Sequence, residues 1–357
     1  MAGTFATRHP VIPRLTSARI AALFLLFSCE SVAQGVVHGH VYDKEIGAPL
    51  ENANVYVSST TIGVATGRDG AYTLTGLPKG ALTLVCSLVG HTLESVPMNI
   101  ARSETLRVDF RLRPSVIRGE EMEVVAPQPK EWRRLLRLFT EAFIGKTENS
   151  EGCRIINPEV LDFHMREGSE ILEAKTDSVL RVENDALGYL LYIRMGLFRW
   201  DVTDDVGQYL VYPRFEQLTE PSSREREEWR ENRQSTYRGS LRDFLRSLVA
   251  GRLEEDGFDI HQGKLSSLRS GSRPPLRPDI FNLEPIPGQP FWKLRFRDWI
   301  CVEHRNGDSR TVSYIQLNRD SAVTDNEGDL VDPLCLDIVG DWTKQRIADL
   351  LPLNGKE

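Results

Sequence analysis

Between Val36 and Leu112 apolar residues recur at every second position in short bursts, and each burst stops at turn-forming residues. Val55 and Val57, Ile62 and Val64, Tyr72 and Leu74, the alternate positions Leu82 to Leu88, and Leu106, Val108, Phe110 and Leu112 all follow this rule. A period of two places successive side chains on opposite faces, so each burst reads as a strand with one buried face. Gly47-Ala48-Pro49, Arg68-Asp69-Gly70 and Leu77-Pro78-Lys79-Gly80 separate the bursts, with glycine supplying positive φ and proline presetting a turn. About seven strands in so short a stretch predict a β-sandwich over residues 34–115.

The pattern changes after residues 116–130, where Ala126-Pro127-Gln128-Pro129-Lys130 reads as a stiff linker. Trp132, Leu135, Leu136, Phe139 and Phe143 recur at helical spacing, and Gly145 stops them. Ser240 with Asp243 marks a helix start before the apolar stripe Leu241, Phe244, Leu245, Leu248 and Val249. Mixed charges from Arg224 to Arg233 predict a solvated helix, Ser266 to Pro278 a loop, and Lys344 to Leu351 a last helix ending at Pro352. Strand-like runs lie at Val179–Val182, Leu187–Ile193, Tyr209–Tyr212, Trp292–Val302 and Thr311–Leu317. Residues 131–357 therefore read as a mixed α+β domain.

Arg8, Arg14 and Arg19 precede the apolar run Ile20–Phe27, and Ser31-Val32-Ala33 follows it. This order reads as a secretory signal over residues 1–33, cleaved before Gln34, because the run falls short of the roughly 20 residues a bilayer-spanning helix needs. Cys29 in Leu26-Phe27-Ser28-Cys29 offers the alternative of a lipoprotein anchor. Export directs the chain to the periplasm or the outer membrane, with no transmembrane span in the mature form. The remaining Cys86, Cys153, Cys301 and Cys335 permit a disulfide, best placed between two of Cys153, Cys301 and Cys335. A net charge of -7 argues against nucleic acid as a partner.

Gly39-His40-Val41, Ala48-Pro49-Leu50-Glu51-Asn52-Ala53-Asn54-Val55, Thr66-Gly67-Arg68-Asp69-Gly70-Ala71-Tyr72 and Leu77-Pro78-Lys79-Gly80, in that order, resemble the carboxypeptidase-regulatory-like domain. The resemblance implies a seven-stranded transthyretin/Ig-like sandwich and fixes no activity, since the module accompanies peptidases, sugar-binding proteins and outer-membrane receptors. Glu120-Glu121-Met122-Glu123-Val124-Val125-Ala126 resembles the segment after this module in TonB-dependent receptors, but too few residues follow for a plug and barrel. Phe143-Ile144-Gly145, Cys153–Pro158, Asn184–Tyr189, Trp229–Arg233 and Tyr237–Ser240 resemble an uncharacterised partner domain of exported Bacteroidetes-type proteins, which carries no established activity.

Tyr189, Tyr192 and Trp200 can floor a sugar or peptide groove, and Arg230, Arg233 and Tyr237 form a second polar-aromatic group. Packing in a sheet core is the competing reading for the first set. His164 and Glu167, with His304, have the spacing of zinc-peptidase ligands, but the alternating βα pattern of that fold is missing. His91-Thr92-Leu93-Glu94 lies on a strand, where residues three apart face opposite ways. No nucleophile elbow, phosphate loop or dinucleotide fingerprint occurs. The expectation is an exported, non-enzymatic envelope module without a cofactor, binding a glycan, peptide or protein; a zinc carboxypeptidase-like hydrolase, or a remnant of one, is the alternative.

Overall fold

The computed structural model describes residues 35–101, 104–115, 130–166, 168–219, 221–272, 280–307 and 309–354. The expected signal segment, Cys29, residues 116–129 of the linker and Glu167 lie outside these residues.

The first strands are β1 (Gly35–Asp43), β2 (Asn54–Val57), β3 (Gly63–Ala65), β4 (Ala71–Leu77), β5 (Gly80–Ser87), β6 (Glu94–Ile100), β7 (Thr105–Arg107) and β8 (Phe110–Leu112). They form two sheets, one ordered β4-β1-β7 with β8 also on β1, the other β3-β2-β5-β6. Strict alternation along β1 turns Val37 and Val41 inward, where they meet Val55, Leu74, Leu84, Cys86 and Phe110. The run expected as one final strand is two, pairing with β1 at Val36–His38 and again at Val41–Asp43. Gly39 lies at the gap, and a Cβ there would sit 1.8 Å from the Val108 carbonyl oxygen. Glycine thus makes room for the Val108 carbonyl, which accepts the Tyr72 hydroxyl at 2.6 Å while the Val108 amide still donates to His38 at 2.9 Å.

Helix α1 (Lys130–Ile144) precedes β9 (Cys153–Ile155), β10 (Asp162–Met165), β11 (Ile171–Lys175), β12 (Leu180–Asn184), β13 (Tyr189–Asp201) and β14 (Val206–Gln217). These strands make one sheet, β10-β11-β13-β12-β9, with β14 on the free side of β13. Phe139 and Phe143 of α1 pack on Phe198 of β13, and Leu172, Val182 and Leu191 complete that core. The register between β13 and β14 slips between Met195 and Leu197. An extra residue in one strand reverses which side chains face the core. Tyr189, Leu191 and Ile193 are buried before the slip, Phe198 and Trp200 after it.

Helix α2 (Ser223–Tyr237) starts at a reciprocal Ser222–Glu225 capping box, and α3 (Leu241–Ala250) starts where Ser240 accepts the Asp243 amide. Then come β15 (Phe258–Gly263), β16 (Asn282–Pro285), β17 (Phe291–Arg295), β18 (Trp299–Asn306), β19 (Ser309–Leu317), β20 (Ala322–Asp325) and β21 (Leu336–Gly340). They pair as β15-β18-β19-β21 and β16-β17-β20, around a core holding Phe244, Phe258, Ile300 and Trp342. The expected strand Trp292–Val302 is divided at Asp298, whose φ is 57°. In place of a last helix stand two 3-10 turns, Asp341–Lys344 and Ile347–Asp349, because Arg346 between them turns inward and donates to the Ala142 carbonyl.

From residue 34 onward the chain clusters as one compact unit. Ser59 donates its amide to Pro213 at 2.6 Å, Phe215 donates to Thr60 at 2.9 Å, and Leu353 donates to Ser59 at 2.7 Å. The Tyr56 hydroxyl donates to the Tyr212 carbonyl at 3.0 Å. The β2–β3 turn of the sandwich thereby caps the edge of β14. A second junction lies at Gly80, where the carboxylate of Asp325 accepts the amide of Ala81. Cys86, Cys153, Cys301 and Cys335 are all free thiols, so the expected bridge is absent among them. Cys335 belongs to the core around Phe244, whereas Cys301, between Ile300 and Val302, faces the other side of β18.

Candidate binding face

The two groups of expected site residues are dispersed by the fold. Tyr189 and Trp200 are buried in the core beneath α1, while Tyr192 lies on the opposite face of β13 and is only half-buried. Arginines cover both core rings: Arg233 lies 4.2 Å above Tyr189 and Arg346 lies 4.3 Å above Trp200. Arg233 is itself buried and donates to the Leu187 carbonyl at 2.9 Å. Arg230 is exposed and paired with Glu227 on α2. Tyr237 sits under Arg246, at 5.2 Å, and burial raises its phenol pKa. Only Tyr192 of these residues stands on a sheet face turned away from the core.

That face is built by register. Arg181 of β12, Tyr192 of β13 and Arg214 of β14 lie directly opposite one another, forming one row across three strands. Arg194 opposes Tyr212 in the next row, and beyond the slip Leu197 opposes Leu210. The Arg214 guanidinium lies 4.3 Å over the Tyr192 ring, and its Cδ abuts Gly63 of the sandwich, where an added Cβ would come within 3.1 Å. Arg194 donates to the Asp177 carbonyl at 2.6 Å, and burial holds its pKa below the ordinary arginine value. Glu183 is engaged by Arg154, and Glu216 stands 3.6 Å from Arg214.

At the far end of the same face Ile171, Arg199, Asp201, Val206, Gly207 and Gln208 line an open cavity of about 260 Å³. Leu197 is 40% exposed and Val206 58% exposed. The outer side of a solvated sheet is ordinarily polar, so tyrosines, leucines and valine interleaved with arginines mark a surface suited to a partner.

Of the three zinc-ligand candidates, the two described residues lie on separate sheets. His164 is exposed on the edge strand β10, His304 is buried on β18 against Phe258 with ring centroids 4.7 Å apart, and Glu167 lies outside the described residues. Among the described residues the group with metal-ligand proximity is Asp259, His261 and Glu303, within 4.8 Å of one another on β15 and β18. Strand pairing brings Asp259 opposite Glu303, but Arg310 already holds Glu303 at 2.6 Å. Alternation along β15 was the only sequence signal for this trio.

Residues 37–124 match the family described as CarboxypepD_reg-like domain, so the chain carries a carboxypeptidase-regulatory-like domain at its sandwich. Among curated proteins none matches the chain. Solved structures with similarity include a group B streptococcus pilus 2b backbone protein, 17% identical over 23% of this chain and 42% of its own, with a TM-score of 0.20. The chain thus spans less than half of that pilus protein. Klebsiella pneumoniae 5-hydroxyisourate hydrolase is 19% identical over 23% of this chain and 91% of its own, at 0.21. A proposed carbohydrate binding protein from Bacteroides uniformis is 8% identical over 82% and 98%, at 0.20. TM-scores this low establish no shared activity.

Proposed function

We propose that this protein is an exported, non-enzymatic module of the bacterial cell envelope, in the periplasm or at the outer membrane, and that the outer face of β12, β13 and β14 binds a partner there. The observation that carries the reading is the row Arg181–Tyr192–Arg214, continued by Arg194–Tyr212 and the exposed Leu197 and Val206. Aromatic and arginine side chains are the groups that contribute most at interfaces. The sandwich acts as a supporting wall, since its β2–β3 turn caps the strand that presents Arg214. A stable wall beside a flat face of side chains suits recognition, in which the partner is held rather than converted.

The test is a crosslinking pull-down from intact cells with wild type and Tyr192→Ala. Tyr192 is half-buried and outside the core, so the variant should keep its thermal stability. Loss of an envelope component from the variant supports the reading. Unchanged capture by a folded variant, or recovery of the full-length protein from cytosol, contradicts it.

A further inference from the structure

We infer that the outer face of β12–β14 binds an acidic saccharide, a chain of sugar rings bearing carboxylates. This rests on that face being the binding surface proposed above, and goes further by naming the chemistry of its ligand.

The charge balance of the face is opposite to that of the protein. The whole chain carries -7, yet on the outer face of β9, β12, β13 and β14 Arg154, Arg181, Arg194, Arg199 and Arg214 outnumber Glu183, Asp201 and Glu216, with Glu173 and Asp177 at the margins. Glu183 is engaged by Arg154, which leaves Arg181, Arg194 and Arg214 to face a single glutamate 3.6 Å from one of them. Among the described residues neither Arg181 nor Arg194 forms a salt bridge. Burying a guanidinium is unfavourable unless anionic groups approach it, and an incoming carboxylate can meet its planar fork with two hydrogen bonds. Arg194 has paired only with a backbone carbonyl, and burial lowers its pKa. The face therefore carries an excess of guanidinium groups that an incoming anion can meet.

The ligand's form follows from what surrounds these cations. An extended peptide would ordinarily add to a sheet through a free strand edge. Beside the Arg181–Tyr192–Arg214 row, however, the β14 edge is capped from Tyr212 to Phe215 by Tyr56, Ser59 and Thr60, and the outer edge of β12 is taken by β9. Recognition at that row comes from side chains above the sheet. Tyr212, and the side of the Tyr192 ring that Arg214 does not cover, offer flat surfaces for the apolar faces of sugars, beside arginines on neighbouring strands about 5 Å apart. Arg181 and Arg214 stand two strand widths apart, about 10 Å, so a chain lying across the strands would present carboxylates to both while a ring covers Tyr192. The cavity between Arg199 and Gln208 continues the same face for a longer chain.

The experiment is affinity electrophoresis of the mature protein in gels containing polygalacturonate, fully methyl-esterified polygalacturonate or poly-L-glutamate, at low and raised salt. Polygalacturonate should retard the wild type, raised salt should weaken the retardation, and the ester should retard it far less. Arg214→Gln and Arg181→Gln should each weaken binding about tenfold, the scale of one lost charge-assisted contact. Arg68→Gln, on a sandwich arginine that is 94% exposed, should change nothing. Both test variants alter surface groups, and thermal melts verify that they are folded. Equal retardation by the ester overturns the acidic class and leaves a neutral saccharide; equal retardation by polyglutamate overturns the saccharide. No retardation in any gel overturns the inference, while a Tyr192-dependent pull-down in the same preparation would preserve the binding face itself.

Discussion

Gly80→Ala should destabilise the protein far more than the same change at Gly90. Both glycines have positive φ, 116° and 80°. At Gly90 an added Cβ meets nothing within 4 Å, whereas at Gly80 it would stand 2.2 Å from Oδ2 of Asp325. Backbone strain alone costs about 1–3 kcal/mol at such positions, and it applies to both variants. At Gly80 the carboxylate must also move. Asp325 is 3% exposed and accepts the amides of Glu327 and Asp329 at 2.9 and 3.0 Å, besides that of Ala81. Losing a hydrogen bond to a charged group costs about 1.5–3 kcal/mol. Gly80→Ala should therefore cost about 2–3 kcal/mol more than Gly90→Ala in urea unfolding monitored by circular dichroism. Equal costs for the two variants would refute the claim that this turn is a junction between the sandwich and the rest of the chain.

Protease should cut in the Pro-rich segment near Pro127–Lys130, and the two products should still co-elute in size-exclusion chromatography, because the bonds from Ser59, Thr60 and Tyr56 survive the cut. Burial raises the Asp329 carboxyl to about 7, well above the ordinary aspartate range, against the opposing pull of Arg242. A raised folded-state pKa contributes stability below pH 4 that is lost as pH rises through 7, so wild type should lose more stability than Asp329→Asn between pH 5 and 8 in paired melts. A chain produced from Gln34 onward should show four alkylatable thiols after denaturation without reductant, and reductant should not move its melting point. Fewer than four would restore a disulfide.

The sandwich was legible because half-buried strands write their geometry as alternation, which holds from Val37 through Leu112. The split between β7 and β8 was hidden because it depends on how closely Val108 approaches Gly39, a contact between distant residues. The site residues show the same limit. Tyr192 and Trp200 have an even separation and would share a face in an unbroken strand, but the slip near Gly196 sends Trp200 to the core. Arg181, Arg194 and Arg214 look like ordinary strand charges in the sequence. Only the pairing of β12, β13 and β14 gathers them around Tyr192 and Tyr212.

The most direct test of the binding face is photocrosslinking in intact cells, with a benzophenone amino acid replacing Leu197, which is 40% exposed on that face, or Val331, which is 45% exposed elsewhere. A discrete envelope adduct from position 197 and none from position 331 is the predicted result. Adducts of equal strength from both positions, or from position 331 alone, would contradict it.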